Sequence, residues 1–141
     1  MVARYCGLWD KKNNMANRKY NSGKWTPARF RSFVKSGLRA LSNKWPPKYE
    51  CRKAAWVERG VYRCAGYKQK PHNVSASIGE RGKKKNNIFI DHIVPVIDPI
   101  KGFTTWDKVV ANLFCEKKNL QVLCLNCHKE KSSDERKQRR V

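Results

Sequence analysis

The chain has 141 residues, room for one compact domain with an appended arm but not for two full domains. Its 32 Lys and Arg against 11 Asp and Glu give a formal net charge of +21, so a polyanion is the expected partner. No window approaches the roughly 18 apolar residues of a membrane span, and the opening run MVARYCGLWDKKNN lacks the apolar core of a signal peptide, which predicts an intracellular protein with no membrane partner.

Charge alone does not separate a DNA enzyme from a structural RNA-binding protein, since both lie along phosphate backbones. The six cysteines, in a reducing compartment, argue against a disulfide framework and leave metal binding or packing for each.

Residues 1–24 are polar and basic without an apolar period, and they read as a loose arm in which Trp9 is the one candidate anchor. From Thr26 the pattern changes. Thr26 can cap, Pro27 suits a first helical position, and Phe30, Phe33, Val34, Leu38 and Leu41 recur at helical spacing. The opposite face carries Arg29, Arg31, Lys35 and Arg39, candidates for phosphate contact or simple solvation. Trp45-Pro46-Pro47 breaks the chain, a second helix is expected over about 48–58 with Gly60 as its stop, and residues 25–60 together read as a helical, DNA-contacting segment.

Val61-Tyr62-Arg63 is expected to start a strand, while 65–87, with Gly66, Pro71, Gly79, Gly82 and the triplet Lys83-Lys84-Lys85, reads as loop. Ile88-Phe89-Ile90 has strand composition. Thr104 to Asp107 offers a capping box for a short helix that can bury Val109, Val110, Leu113 and Phe114. Leu120 to Leu123 is a second strand, and the charged stretch beyond Cys127 is an exposed terminal helix on which Glu135 precedes Arg139 by four residues.

Two clusters carry chemistry. Asp91 and His92 are adjacent, so a strand would aim them to opposite faces, whereas a loop beginning there, favoured by Pro95 and Pro99, could bring both to one site. Cys124 and Cys127 have the two-residue gap that lets two thiolates share one tetrahedral zinc, and His128 follows directly.

Asp91-His92-Ile93-Val94-Pro95, Asn119-Leu120-Gln121-Val122-Leu123-Cys124 and Cys127-His128-Lys129-Glu130-Lys131 resemble the successive blocks of HNH endonucleases, with His92, Asn119 and His128 as the naming letters. The likeness extends to Gly102 through Trp106, to Leu113-Phe114-Cys115 and to Trp25 through Tyr49, which are similar to small bacteriophage-type members. The resemblance implies an α+β fold: a ββα-metal core over residues 61–141, N-terminal basic helices and a zinc-bracing site. It also implies one divalent cation, magnesium or manganese or a substitute, on Asp91 and His128. His92 would be the general base and Asn119 the brace of the loop bearing it; relatives place a further ligand where Ser132 stands, a poor donor that water would replace.

Relatives of this architecture pair a first Cys-x-x-Cys with a second. Here the first reads Cys64-Ala65-Gly66-Tyr67, so zinc on Cys64, Cys124 and Cys127 needs either Cys51 or His72 as a fourth ligand, or binds with three, or is absent. Cys51 lies on the expected second helix and Cys115 in an apolar stretch, so burial is the role expected of both.

The expected function is metal-dependent hydrolysis of double-stranded DNA, by nicking or double-strand cleavage, as monomer or homodimer. Lys129, Lys131 and Arg136 are candidates for local phosphate contacts beside Lys83, Lys84 and Lys85. A phage-encoded homing-type enzyme is the first setting, and a DNA-processing nuclease acting with a phage packaging terminase the second. A non-catalytic zinc-braced nucleic-acid-binding protein is the alternative outside the enzyme class.

Overall fold

A computed structural model describes residues 18–139. The expected anchor Trp9 and the cysteine Cys6 lie outside these residues. The described residues divide into two compact units, with the boundary between Leu41 and Ser42.

In the first unit, residues read as loose arm are partly structured. Tyr20 and Trp25 form an isolated antiparallel bridge around a turn in which Asn21, Ser22 and Gly23 all have positive φ. Tyr20 stacks on Phe30 at 4.1 Å and the Arg29 guanidinium lies 4.8 Å from the Trp25 ring. These aromatic contacts order a run with no apolar period. Helix α1, Pro27–Ser42, starts as its sequence dictates: the Thr26 hydroxyl accepts from Arg29 N–H at 3.2 Å, a cap worth about 1 kcal/mol.

The second unit opens with α2, Pro46–Ala54, shorter than expected. It ends at Ala54 because the Ala55 carbonyl accepts from Arg63 N–H at 2.7 Å and the chain turns into β1, Trp56–Glu58. Gly60 stops no helix. With φ +76 it forms the turn into β2, Val61–Cys64. Strand β3, His72–Ser75, pairs with β2 in the register Cys64↔His72, completing an antiparallel sheet of order β1-β2-β3.

The expected loop 65–87 therefore contains three strands, since β4, Ser77–Glu80, and β5, Lys83–Asn86, form a separate exposed ribbon. Neither alternates apolar with polar residues, so period-2 patterning gives no signal there.

The last part is a two-stranded sheet and a helix. Strand β6, Phe89–His92, pairs antiparallel with β7, Leu120–Leu123, and α4, Leu125–Arg139, leaves β7 after one residue. Between the strands lie α3, Trp106–Leu113, capped by the Thr105 hydroxyl on Lys108 N–H at 3.2 Å, and a 3-10 turn at Lys117–Asn119. The core below β6 and β7 gathers Cys51, Ile88, Leu120 and Val122, with Ile90 and Cys115 packed against it. Each fully buried aliphatic side chain there contributes about 1.5–3 kcal/mol. Cys51 is thus a packing residue at the α2 interface. No described helix is long and apolar enough to cross a membrane.

Candidate functional site

Four ligand-type side chains converge where β2, β3 and the start of α4 meet. The ligand atoms of Cys64, His72, Cys124 and Cys127 lie within 4.8 Å of one another. An ideal tetrahedron with zinc–sulfur bonds of about 2.3 Å has edges of about 3.8 Å, so small side-chain adjustments close the set on a metal ion. Cys64 and Cys127 are fully buried, and the strand register sets Cys64 directly opposite His72. His72, not Cys51, is therefore the fourth member.

The surroundings offer hydrogen-bond donors to two of the sulfur atoms. Cys64 Sγ accepts from the backbone N–H groups of Cys124 at 3.3 Å and Gly66 at 3.4 Å, and Gln69 Nε2 donates to Cys127 Sγ at 3.0 Å. Burial pushes the Cys64 thiol up to about 11 despite its two amide donors. Burial acts in the same sense on Cys127, but donors from the Tyr67 backbone, Gln69 and the neighbouring thiols outweigh it and hold Cys127 below the ordinary thiol range. His72 Nδ1–H donates to the Lys70 carbonyl at 3.0 Å, which leaves the Nε2 lone pair facing Cys124 Sγ at 3.7 Å. A second hydrogen bond of this kind fixes the tautomer that a metal needs.

Gly66 makes the turn between Cys64 and His72 possible. Its φ is +82, and a Cβ there would lie 2.4 Å from the Gln69 carbonyl oxygen. Tyr67, in the position where a second thiol was expected, is half-buried and packs against the Cys64, Leu123, Cys124 and Cys127 cluster instead. Its hydroxyl donates to Asp134 Oδ2 at 2.8 Å, and Lys68 joins the same carboxylate at 2.7 Å, tying the loop to α4.

The second cluster surrounds β6. The strand runs through His92, so the loop begins at Ile93, later than expected, and Asp91 and His92 point to opposite faces. Phe89 shares the Asp91 face, and its ring stacks on His128 at 4.8 Å. His128 in the first turn of α4 thus overlooks the face that carries Asp91. Lys131, one turn further along α4, confirms the approach: its ammonium pairs with Asp91 Oδ2, and Gln121 Nε2 donates to the same oxygen at 3.0 Å. Both partners sit on Oδ2. Lys131 is buried and bridges Asp91 and Glu135, so it is a poor candidate for the phosphate contact expected of it; Lys129 and Arg136 on the same helix are exposed.

On the other face, His92 Nε2–H donates to the Leu113 carbonyl at the end of α3, at 3.0 Å. A carbonyl only accepts, so the proton is on Nε2 and Nδ1 keeps its lone pair. Burial, then the nearby Lys48 and Lys131 charges, lower the His92 pKa against the opposing Leu113 bond and Asp91 charge. Asn119 braces the loop that follows: its backbone carbonyl accepts from Ile93 N–H at 2.9 Å and its side-chain oxygen from Val94 N–H at 3.1 Å.

Asn87 was not singled out from the sequence. Buried between the ribbon and α4, it donates through Nδ2 to the Ser75 carbonyl at 2.9 Å and accepts from Leu125 N–H at 3.0 Å through Oδ1. It caps the first turn of α4 from a distant part of the chain. An Asn between a basic triplet and a strand has no sequence signal beyond turn propensity.

No family model, curated protein or solved structure matches the chain.

Proposed function

We propose that the protein is a metal-dependent endonuclease of the HNH type acting on double-stranded DNA. The observation that carries this reading is the arrangement at the end of β6: a carboxylate and an imidazole on one face, a neutral imidazole with a fixed tautomer on the other, and Asn119 bracing the loop between. Asp91 and His128 would hold the divalent cation. It would supply charge neutralisation at the scissile phosphate and the departing oxygen.

The protein's own groups act around it. His92 Nδ1 takes the proton of the attacking water as the new phosphorus–oxygen bond forms and the bond to the departing oxygen breaks, that oxygen gaining a proton from solvent. Burial keeps the imidazole in its neutral, basic form at neutral pH. In an in-line displacement the incoming and departing oxygens lie on opposite sides of phosphorus, which suits groups borne on opposite faces of one strand end. The Cys64, His72, Cys124 and Cys127 set would hold a structural zinc that fixes α4 relative to β2 and β3. The net charge of +21 supplies the phosphate affinity, with Arg29, Arg31, Lys35, Arg39, Lys129 and Arg136 among the contacting groups.

Supercoiled plasmid with added magnesium or manganese tests the reading, and relaxed or linear product is expected. A zinc-braced binding protein would leave the plasmid supercoiled under every metal condition. Mapping the products separates a homing-type enzyme, which gives one sharp cut pattern, from a DNA-processing nuclease, which gives scattered nicks.

A further inference from the structure

The β4–β5 ribbon has features that its own stability does not explain. All of its strand residues are exposed. Residues 77–86 carry Arg81, Lys83, Lys84 and Lys85 against the single acid Glu80. The pairs Ser77↔Asn86 and Gly79↔Lys84 lie on one face, and Ile78↔Lys85 and Glu80↔Lys83 on the other. Lys85 pairs with Glu80 at 3.2 Å on the second face. The first face has no acid, and its residues are small apart from Lys84 and from Asn86, which is engaged with the Ile88 backbone.

Two residues work against the hairpin. The turn is Arg81-Gly82, with φ +52 and +76, the two-residue form in which Asn-Gly or Asp-Gly is preferred. Arg81 at a left-handed position is strained, since a Cβ crowds the backbone there. Gly79 lies inside a strand with no positive φ, and an added Cβ would meet nothing within 4 Å. The fold does not require a glycine there, and a strand glycine of this kind often marks close approach by another molecule.

We infer that this ribbon enters the major groove of double-stranded DNA. The Ser77, Gly79 and Lys84 face meets the base edges, Arg81 leads at the tip, and Lys83 and Lys85 reach phosphates. A two-stranded ribbon has strands about 5 Å apart, and the B-form major groove is about 12 Å wide. Lys and Arg pair with the guanine acceptors there, and Ser pairs with any base. The A-form RNA major groove is too narrow to admit it. Asn87 anchors the ribbon's base to Ser75 and Leu125, so the groove contact is held in fixed relation to α4. The inference rests on the proposal that duplex DNA is the substrate, and goes beyond it by assigning the groove and the reading face.

The test is equilibrium binding of the full chain, without magnesium, to a mixed-sequence DNA duplex. The same duplex carrying glucosylated 5-hydroxymethylcytosine fills the major groove. The variants are Gly79→Val and Arg81→Asn, both of which should leave the thermal midpoint unchanged or raise it, since each removes a local penalty. The expected result is a loss of about tenfold in wild-type affinity on glucosylation. Both variants should bind the plain duplex more weakly and lose sensitivity to glucosylation. A Lys83→Gln, Lys85→Gln double variant should lower the salt slope by about two.

Variants that bind as wild type, or a wild type indifferent to glucosylation, would overturn the ribbon's role while leaving the nuclease reading intact. Preference of the wild type for duplex RNA, or no binding to duplex DNA, would overturn both.

Discussion

His92 is held by one hydrogen bond that decides its chemistry. Because Nε2–H donates to the Leu113 carbonyl, the free lone pair is on Nδ1, and on the proposed mechanism His92→Ala should abolish plasmid cleavage while changing the DNA dissociation constant less than about threefold. Gel analysis of cleavage beside a binding titration checks this, and equal cleavage by the variant removes His92 from the mechanism. Gly66 is a second residue whose side chain, here its absence, is dictated locally. Gly66→Ala puts a Cβ 2.4 Å from the Gln69 carbonyl at φ +82. The expected cost is about 2 kcal/mol or more by urea unfolding, with weaker metal retention.

Among the elements, the contact between β6 and α4 depends on a charge pair. Lys131 and Asp91 have side chains only 11% and 15% exposed, so neither charge is well solvated alone. Lys131→Met should destabilise by about 3 kcal/mol, and a compensating Asp91→Asn should recover part of that loss, because breaking a buried pair strands one charge whereas removing both does not. Urea unfolding of the two single variants and the double variant measures the coupling; strictly additive costs would show that the pair does not join the elements energetically. Lys131 illustrates the limit of sequence reading at this scale. A lysine in a charged helical stretch looks solvated, and only the packing of α4 on β6 shows that this one is covered. The strand β7, by contrast, is legible from Leu120 to Leu123 because a short apolar run between turn residues has few alternatives.

For the whole molecule, Cys64, His72, Cys124 and Cys127 bring distant segments together, so loss of a metal held there should be felt beyond the site. Purified protein should contain about one zinc per chain. Cys127→Ala and His72→Ala should lose it and melt at lower temperature, as should wild type treated with a strong chelator. Cys51→Ala should keep the metal and lose only packing at the α2 interface. Tyr67→Cys should not raise the zinc content, because His72 already completes the set. Metal analysis of these variants decides the ligand assignment: retention of zinc by His72→Ala would return the choice of fourth ligand to Cys51.

The order of residues alone determined the net charge of +21, the α1 cap at Thr26, the strands around Ile90 and Val122 and the two-residue spacing of Cys124 and Cys127. Each of these is fixed by composition or by spacing over a few positions. Tertiary structure decided the rest. It selected His72 over Cys51 because β2 and β3 pair across 72 and 64, it drew three short strands from a glycine-rich stretch with no alternation, and it turned Lys131 inward. These outcomes depend on which segments become neighbours after folding. That information is carried by hydrogen-bond register and burial between residues dozens of positions apart, not by any local pattern.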